Sequence, residues 1–160
     1  MAFYKLAQNH LAVRCYNGCM VKAILFDFFG VLYVPRQLGF MRRLAPNQAM
    51  IDFTQTLRPK YKVGLLSNMS AGVMDKYFTQ AQLDEYFDNV IISGNTQMVK
   101  PEPGIYKLAA KTMSLEASEC LLIDDNPINC QGAKQAGMQA LLYNSTEQVK
   151  QSMAELLAKQ

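Results

Sequence analysis

The chain has 160 residues, 50% of them hydrophobic and 18% charged, with six Pro and nine Gly; this composition excludes disordered and collagen-like classes, and the length favours one domain. Sixteen Lys and Arg against thirteen Asp and Glu leave a charge of +3, and the basic residues are spread along the chain, so nucleic acid is not an implied partner. Cys15, Cys19, Cys120 and Cys130 form no CxxC pair and there is one His, His10, which removes zinc-ligand spacing. The cysteines read as reduced thiols, and no apolar run approaches the roughly 18 residues of a membrane span, so a soluble, cytoplasmic protein is expected.

Residues 1–20 show no clean period and read as an N-terminal extension ahead of a core domain over 21–160, with Met20 standing directly before the first strong signal. From Val21 onward, short aliphatic runs alternate with helical patterns, which predicts βαβ units and a parallel sheet. Five strands are expected, at 21–27, 62–68, 88–94, 120–125 and 138–143, each apolar enough to be buried on both faces. Helices are expected over 47–58, 70–79, 103–113, 129–138 and 145–159. The third begins with Pro103 at its first turn, and the last opens on a Ser-Thr-Glu cap region.

Ligands of an open parallel sheet bind beyond the carboxyl ends of its strands, so the polar residues there carry the functional reading. The first run ends at Asp27, the second at Ser67 and Asn68, the fourth at Asp124 and Asp125, and Lys100 lies in the loop after the third. This set suits attack by Asp27 on phosphorus or carbon, giving a covalent ester that water then cleaves. A carboxylate approaches an anionic phosphate only where positive charge offsets the repulsion. Mg²⁺ held by Asp125, with Asp124 beside it, supplies that charge together with Lys100. Ser67 and backbone amides at the start of the helix after Asn68 then hydrogen-bond the phosphoryl oxygens.

Four segments carry a resemblance: Asp27-Phe28-Phe29-Gly30-Val31-Leu32, Leu66-Ser67-Asn68, Lys100-Pro101-Glu102-Pro103 with Tyr106, and Leu122-Ile123-Asp124-Asp125-Asn126 with Asn129. In this order they resemble the four motifs of the haloacid dehalogenase superfamily of hydrolases, over roughly residues 21–143. The resemblance implies a Rossmann-like α/β sandwich with sheet order 5-4-1-2-3. It also implies an Mg²⁺-dependent phosphatase site with Asp27, Ser67 and Lys100 as catalytic residues, and Ser67, Asn68 and Lys100 on the substrate. The metal would be held by Asp27, the Phe29 backbone carbonyl, Asp124 and Asp125. A small-molecule phosphate ester or a phosphoprotein is the implied substrate. Tyr106 is expected to be packed, and His10 has no assigned role.

Two departures from the family pattern matter. The family's phosphatases carry a second aspartate two residues after the nucleophile, which protonates the leaving group; that position is Phe29 here. General acid/base catalysis contributes ~10²–10⁴-fold, so alkyl phosphates should turn over slowly. The family's dehalogenases have an aromatic residue at this position and work without metal, which opens a haloacid dehalogenase reading. The Asp124-Asp125 pair opposes it. Second, only 40 positions separate Asp27 from Ser67, which leaves about residues 33–46 where many relatives insert a helical cap. The expectation is a largely absent cap, with Arg36, Arg42 and Arg43 in a solvated basic loop. An uncovered site would admit large substrates, be covered by a second copy in a homodimer, or belong to a shortened relative that only binds. Enzyme and phosphate-binding module both remain open at this point.

Overall fold

The computed structural model describes residues 20–38 and 40–158; the expectations for residues 1–19, including His10, Cys15 and Cys19, lie outside the described residues. Seven strands and five α-helices occur among the described residues. In order they are β1 (Ala23–Phe26), β2 (Tyr33–Leu38), β3 (Met41–Pro46), α1 (Gln48–Leu57), β4 (Lys62–Ser67) and α2 (Gln80–Tyr86). There follow β5 (Asn89–Ile92), α3 (Pro103–Thr112), β6 (Cys120–Asp124), α4 (Pro127–Gln135), β7 (Gln139–Leu142) and α5 (Thr146–Leu157).

All five expected strands form. They pair in parallel in the order β5-β4-β1-β6-β7. Numbered among themselves, the strands of this sheet run 3-2-1-4-5, which is the expected 5-4-1-2-3 taken from the opposite edge. β1 is central, and its four residues are fully buried because each face of the sheet is covered. Successive side chains of a strand point to opposite faces, so Ile24 and Phe26 join one core and Ala23 and Leu25 the other. The first core includes Met50 and Ile51 of α1, Leu83 of α2, and Val149 and Met153 of α5. The second includes Ile105 and Ala109 of α3 and Cys130 and Ala133 of α4. The result is three layers, helix on sheet on helix. No helix among the described residues is long and apolar enough to cross a membrane.

Two local expectations are corrected. Residues 33–46 are not a loop: β2 and β3 form an antiparallel ribbon with Arg36 opposite Arg43 and Pro35 opposite Leu44. Both strands of a two-stranded ribbon are edges, which is why Pro35 is accommodated although it lacks a donor. The side chains of Arg36 and Arg43 are exposed, while Arg42 is placed by its backbone register only, opposite Gln37. Asn47 fastens the base of the ribbon, its amide donating to Val31 O at 2.9 Å and to the Tyr143 hydroxyl at 2.7 Å.

The helix expected over 70–79 is also absent. The chain there makes turns and a single 3-10 turn at Met74–Lys76. Gly72 sits at φ +75, outside the helical region, and interrupts the segment. The helix starts ten residues later, at Gln80, because Thr79 and Gln82 form a reciprocal capping box.

Candidate active site

The ends of three adjacent strands are drawn together by one buried ammonium. Asp27 follows β1 directly, its backbone N–H donating to Ile123 O at 2.9 Å, and its side chain is nearly buried. Asp124 closes β6 and is 0% exposed, while Lys100, only 3% exposed, enters from the loop before α3. The Lys100 Nζ lies 2.8 Å from Asp27 Oδ1 and 2.6 Å from Asp124 Oδ2, and donates to Leu66 O of β4 at 2.9 Å. An ammonium has three protons, and these three acceptors account for all of them.

Asn68 sets the position of Lys100. Its amide donates to Lys100 O at 2.8 Å and its carbonyl accepts from Lys100 N at 2.9 Å, a pair of bonds that locks the loop onto the end of β4. Ser67, 1% exposed, ends the same strand. The backbone amides expected at a helix start after Asn68 belong instead to the turn segment described above, so no helix dipole adds to them.

Asp124 is heavily bonded. Besides Lys100 it accepts from Asn126 N at 2.9 Å and from Asn129 Nδ2 at 3.0 and 3.1 Å. The carbonyl of Asn129 in turn accepts from the fully buried Tyr106 hydroxyl at 2.8 Å. Asn129 reaches back because Asn126 caps α4, accepting from Ile128 N at 2.9 Å. The first helical turn then swings the residue five positions after Asp124 over its carboxylate. Asn129 and Tyr106 stand in the motif segments of the sequence without a polar role assigned to them; the spacing from Asp124 across an Asn-Pro helix start was the available signal.

Asp125, one residue on, is exposed and points at the turn after β1. Gly30 makes room for it: at φ +92, a Cβ on this residue would collide with the Asp125 carboxylate. One ligand oxygen each from Asp27, Asp124 and Asp125 can be chosen so that all lie within 4.8 Å of one another. Burial pushes the Asp27 carboxyl above the usual carboxylate range, Lys100 opposes that rise, and the Asp124 charge adds to it. Burial, followed by the same Asp124 charge, pushes Asp125 up. Hard oxygen donors crowded at one strand edge, with two of them disfavoured as bare anions, match what Mg²⁺ requires and relieves.

Gly30→Ala is therefore expected to damage the site more than the fold. It adds a left-handed strain of about 1–2 kcal/mol and displaces Asp125. The check is calorimetric Mg²⁺ titration beside urea unfolding, with Mg²⁺ affinity falling at least about tenfold, the lower end of what a disturbed ligand shell costs.

A model of the haloacid dehalogenase-like hydrolase family matches residues 39–143. The chain belongs to this family. It is 29% identical over 114 residues, 71% of this chain and 49% of the relative, to an (S)-2-haloacid dehalogenase of Pseudomonas sp. strain YL. It is 31% identical over 81 residues, 51% of this chain and 37% of the relative, to the putative phosphatase YhcW of Bacillus subtilis. The chain thus spans half the length or less of these curated relatives. Among solved structures, it superposes with a TM-score of 0.65 on a family enzyme of Bacteroides thetaiotaomicron in complex with magnesium and inorganic phosphate. That match has 21% identity and covers 76% of this chain and 93% of the other.

Proposed function

We propose that the chain is an Mg²⁺-dependent phosphatase acting on a phosphate ester through an aspartyl-phosphate at Asp27. The observation that carries this reading is the buried Lys100 ammonium holding Asp27 and Asp124 at 2.8 and 2.6 Å beside a third carboxylate, Asp125. Asp27 is the nucleophile, fixed by Lys100 with one oxygen, which leaves the other for phosphorus. Asp27, Asp125 and the Phe29 carbonyl are the proposed metal ligands, with Asp124 adding charge behind them. Mg²⁺ supplies Lewis-acid polarisation of the phosphoryl group when bound. Ser67 and the turn amides after Asn68 hydrogen-bond the phosphoryl oxygens. Lys100 acts by orienting Asp27 and offsetting negative charge, since its donors are engaged within the protein. The relatives described as phosphatases and the magnesium and phosphate of the superposed Bacteroides enzyme support this reading without defining a substrate.

A second reading has one observation behind it. Phe29 stands where the phosphatases carry an acid, and a dehalogenase is among the relatives, which suits metal-free displacement of halide by Asp27. The carboxylate group favours the first reading, because a third acidic side chain has no use in that reaction. Nitrophenol release from 4-nitrophenyl phosphate, followed with Mg²⁺ and with a chelator, separates them. Release that requires Mg²⁺ is the expected result. Halide release from a 2-haloacid in the presence of chelator would replace the phosphatase reading with the dehalogenase one. Phosphate binding by calorimetry without either turnover would make the chain a binding module.

A further inference from the structure

Three aromatic side chains stand partly exposed at the carboxyl edge of the sheet: Phe29 in the turn after β1, Tyr33 at the start of β2, and Tyr77 in the segment after β4. These are the segments leaving the two strand ends that bear Asp27 and Ser67. The rings form one surface. Phe29 and Tyr77 are 5.7 Å apart between centroids, and Tyr33 and Tyr77 5.0 Å. Phe28 lies beneath all three, at 4.8 Å from Phe29, 4.7 Å from Tyr33 and 5.0 Å from Tyr77. Phe28 is fully buried and Phe78, behind it, is 6% exposed, so the lower rings are core while the upper three, packed on that core, stay partly exposed. Separations this short mean that the rings pack on one another and enclose no cage. What they offer a ligand is a rigid aromatic platform of ring faces and edges, since Tyr77 stands at 79° to Phe29 and at 72° to Tyr33.

Chemistry at Phe29 narrows what such a platform can hold. A phenyl side chain donates no proton to a leaving oxygen. Loss of a general acid costs ~10²–10⁴-fold for a leaving group that must be protonated as it departs. A phenolate, whose conjugate acid has a pKa near 10 as in tyrosine, departs with its electron pair far more readily than an alkoxide.

Resting on the phosphatase reading above, we propose that the substrates are aryl phosphates, whose ring packs against the faces and edges of Phe29, Tyr33 and Tyr77 while its phosphoryl group faces Asp27. The Asp27 carboxylate forms a bond to phosphorus, and the phosphorus–oxygen bond to the ring breaks with its electron pair on the phenolate, which takes a proton from water. Water then attacks the phosphorus of the aspartyl phosphate. Inorganic phosphate and one proton are released, and the Asp27 carboxylate is restored. The residue that removes the acid is therefore the same residue that adds an aromatic face, and one substrate class satisfies both.

The test compares three substrates with Mg²⁺ present. Phenyl phosphate has the ring and a good leaving group, acetyl phosphate has the leaving group without the ring, and 2-glycerophosphate has neither. Phenyl phosphate is expected to exceed 2-glycerophosphate in kcat/KM by at least about 10²-fold, the lower bound set by the missing acid. In Tyr77→Leu, and separately in Tyr33→Leu in case one of them disturbs the fold, the phenyl-to-acetyl ratio of kcat/KM is expected to fall about tenfold, carried by KM. A phosphotyrosyl peptide hydrolysed with a ratio to phenyl phosphate above one would place the ring on a protein substrate, and below one on a small molecule, both within the proposal. An unchanged phenyl-to-acetyl ratio in folded variants overturns it, as does 2-glycerophosphate turned over as fast as phenyl phosphate. Absence of Mg²⁺-dependent phosphate release from all three, acetyl phosphate included, overturns the phosphatase reading itself and the inference with it.

Discussion

Lys100→Met is expected to cost about 3–5 kcal/mol of stability in metal-free buffer, the penalty for removing one partner from a buried ion pair. The substitution preserves the bulk of the stem but leaves Asp27 and the 0% exposed Asp124 facing each other without a cation. Single domains are stable by only about 5–15 kcal/mol, so the loss would be a large share of the total. Its pH dependence has a definite sign. Lys100 is the largest influence holding the Asp27 carboxyl down against burial, so its removal lets that carboxyl rise further. A carboxyl raised in the folded state binds its proton more tightly there than when unfolded. The deficit is therefore smaller at about pH 4 than at about pH 7. Urea unfolding at both values measures it. In the double variant Lys100→Met/Asp124→Asn, part of the loss should return, because the buried charge is gone; strict additivity would show that the two residues are not coupled.

Under the phosphatase function proposed above, Asp27→Asn is expected to lower Mg²⁺-dependent phosphate release by ~10⁴-fold or more, the scale on which loss of one member of a covalent catalytic set is felt. An amide oxygen forms no stable acyl phosphate. The fold should survive, since Asn retains an acceptor for Lys100 and the ammonium keeps Asp124 and Leu66 O as partners. Burial disfavours the charge that the variant removes, so its metal-free melting temperature should not fall. Steady-state release from an aryl phosphate, with the variant purified in parallel, is the measurement; an unchanged rate would show that the observed activity comes from another group or another protein.

The acidic groups of the site were legible in the sequence because a parallel sheet obliges its strands to be apolar runs and its site to follow them. Asp27, Ser67, Asp124 and Asp125 each close such a run, so strand and candidate site were recognised by the same signal. Lys100 and Asn68 were legible as residues, but not as a pair. The two bonds between Asn68 and the Lys100 backbone join positions 32 residues apart, and no local pattern encodes them. The segment 33–46 reads as a loop because strands containing Pro35 and opposed arginines lack the apolar alternation of a half-buried strand; the Gly39-Phe40 pair between them, a Gly-X pair suited to a two-residue turn, was the available signal. Residues 70–79 have helical composition, and the competing capping box at Thr79 and Gln82 with the φ of Gly72 shifted the helix to 80–86.

From the sequence alone came the strand-helix alternation, the doubly covered parallel sheet and the identity of the acidic and basic groups at its carboxyl edge. Those are properties of hydrophobic periodicity and of residue type, which are local. Tertiary structure decided that a single buried ammonium spends its three protons on acceptors at the ends of β1, β4 and β6, that Asp124 is held from behind by Asn129, whose backbone carbonyl Tyr106 fastens, and that Phe29, Tyr33 and Tyr77 form one aromatic cluster. Each of these depends on the distance between segments far apart in the chain, which only packing of the sheet against its two helical layers sets.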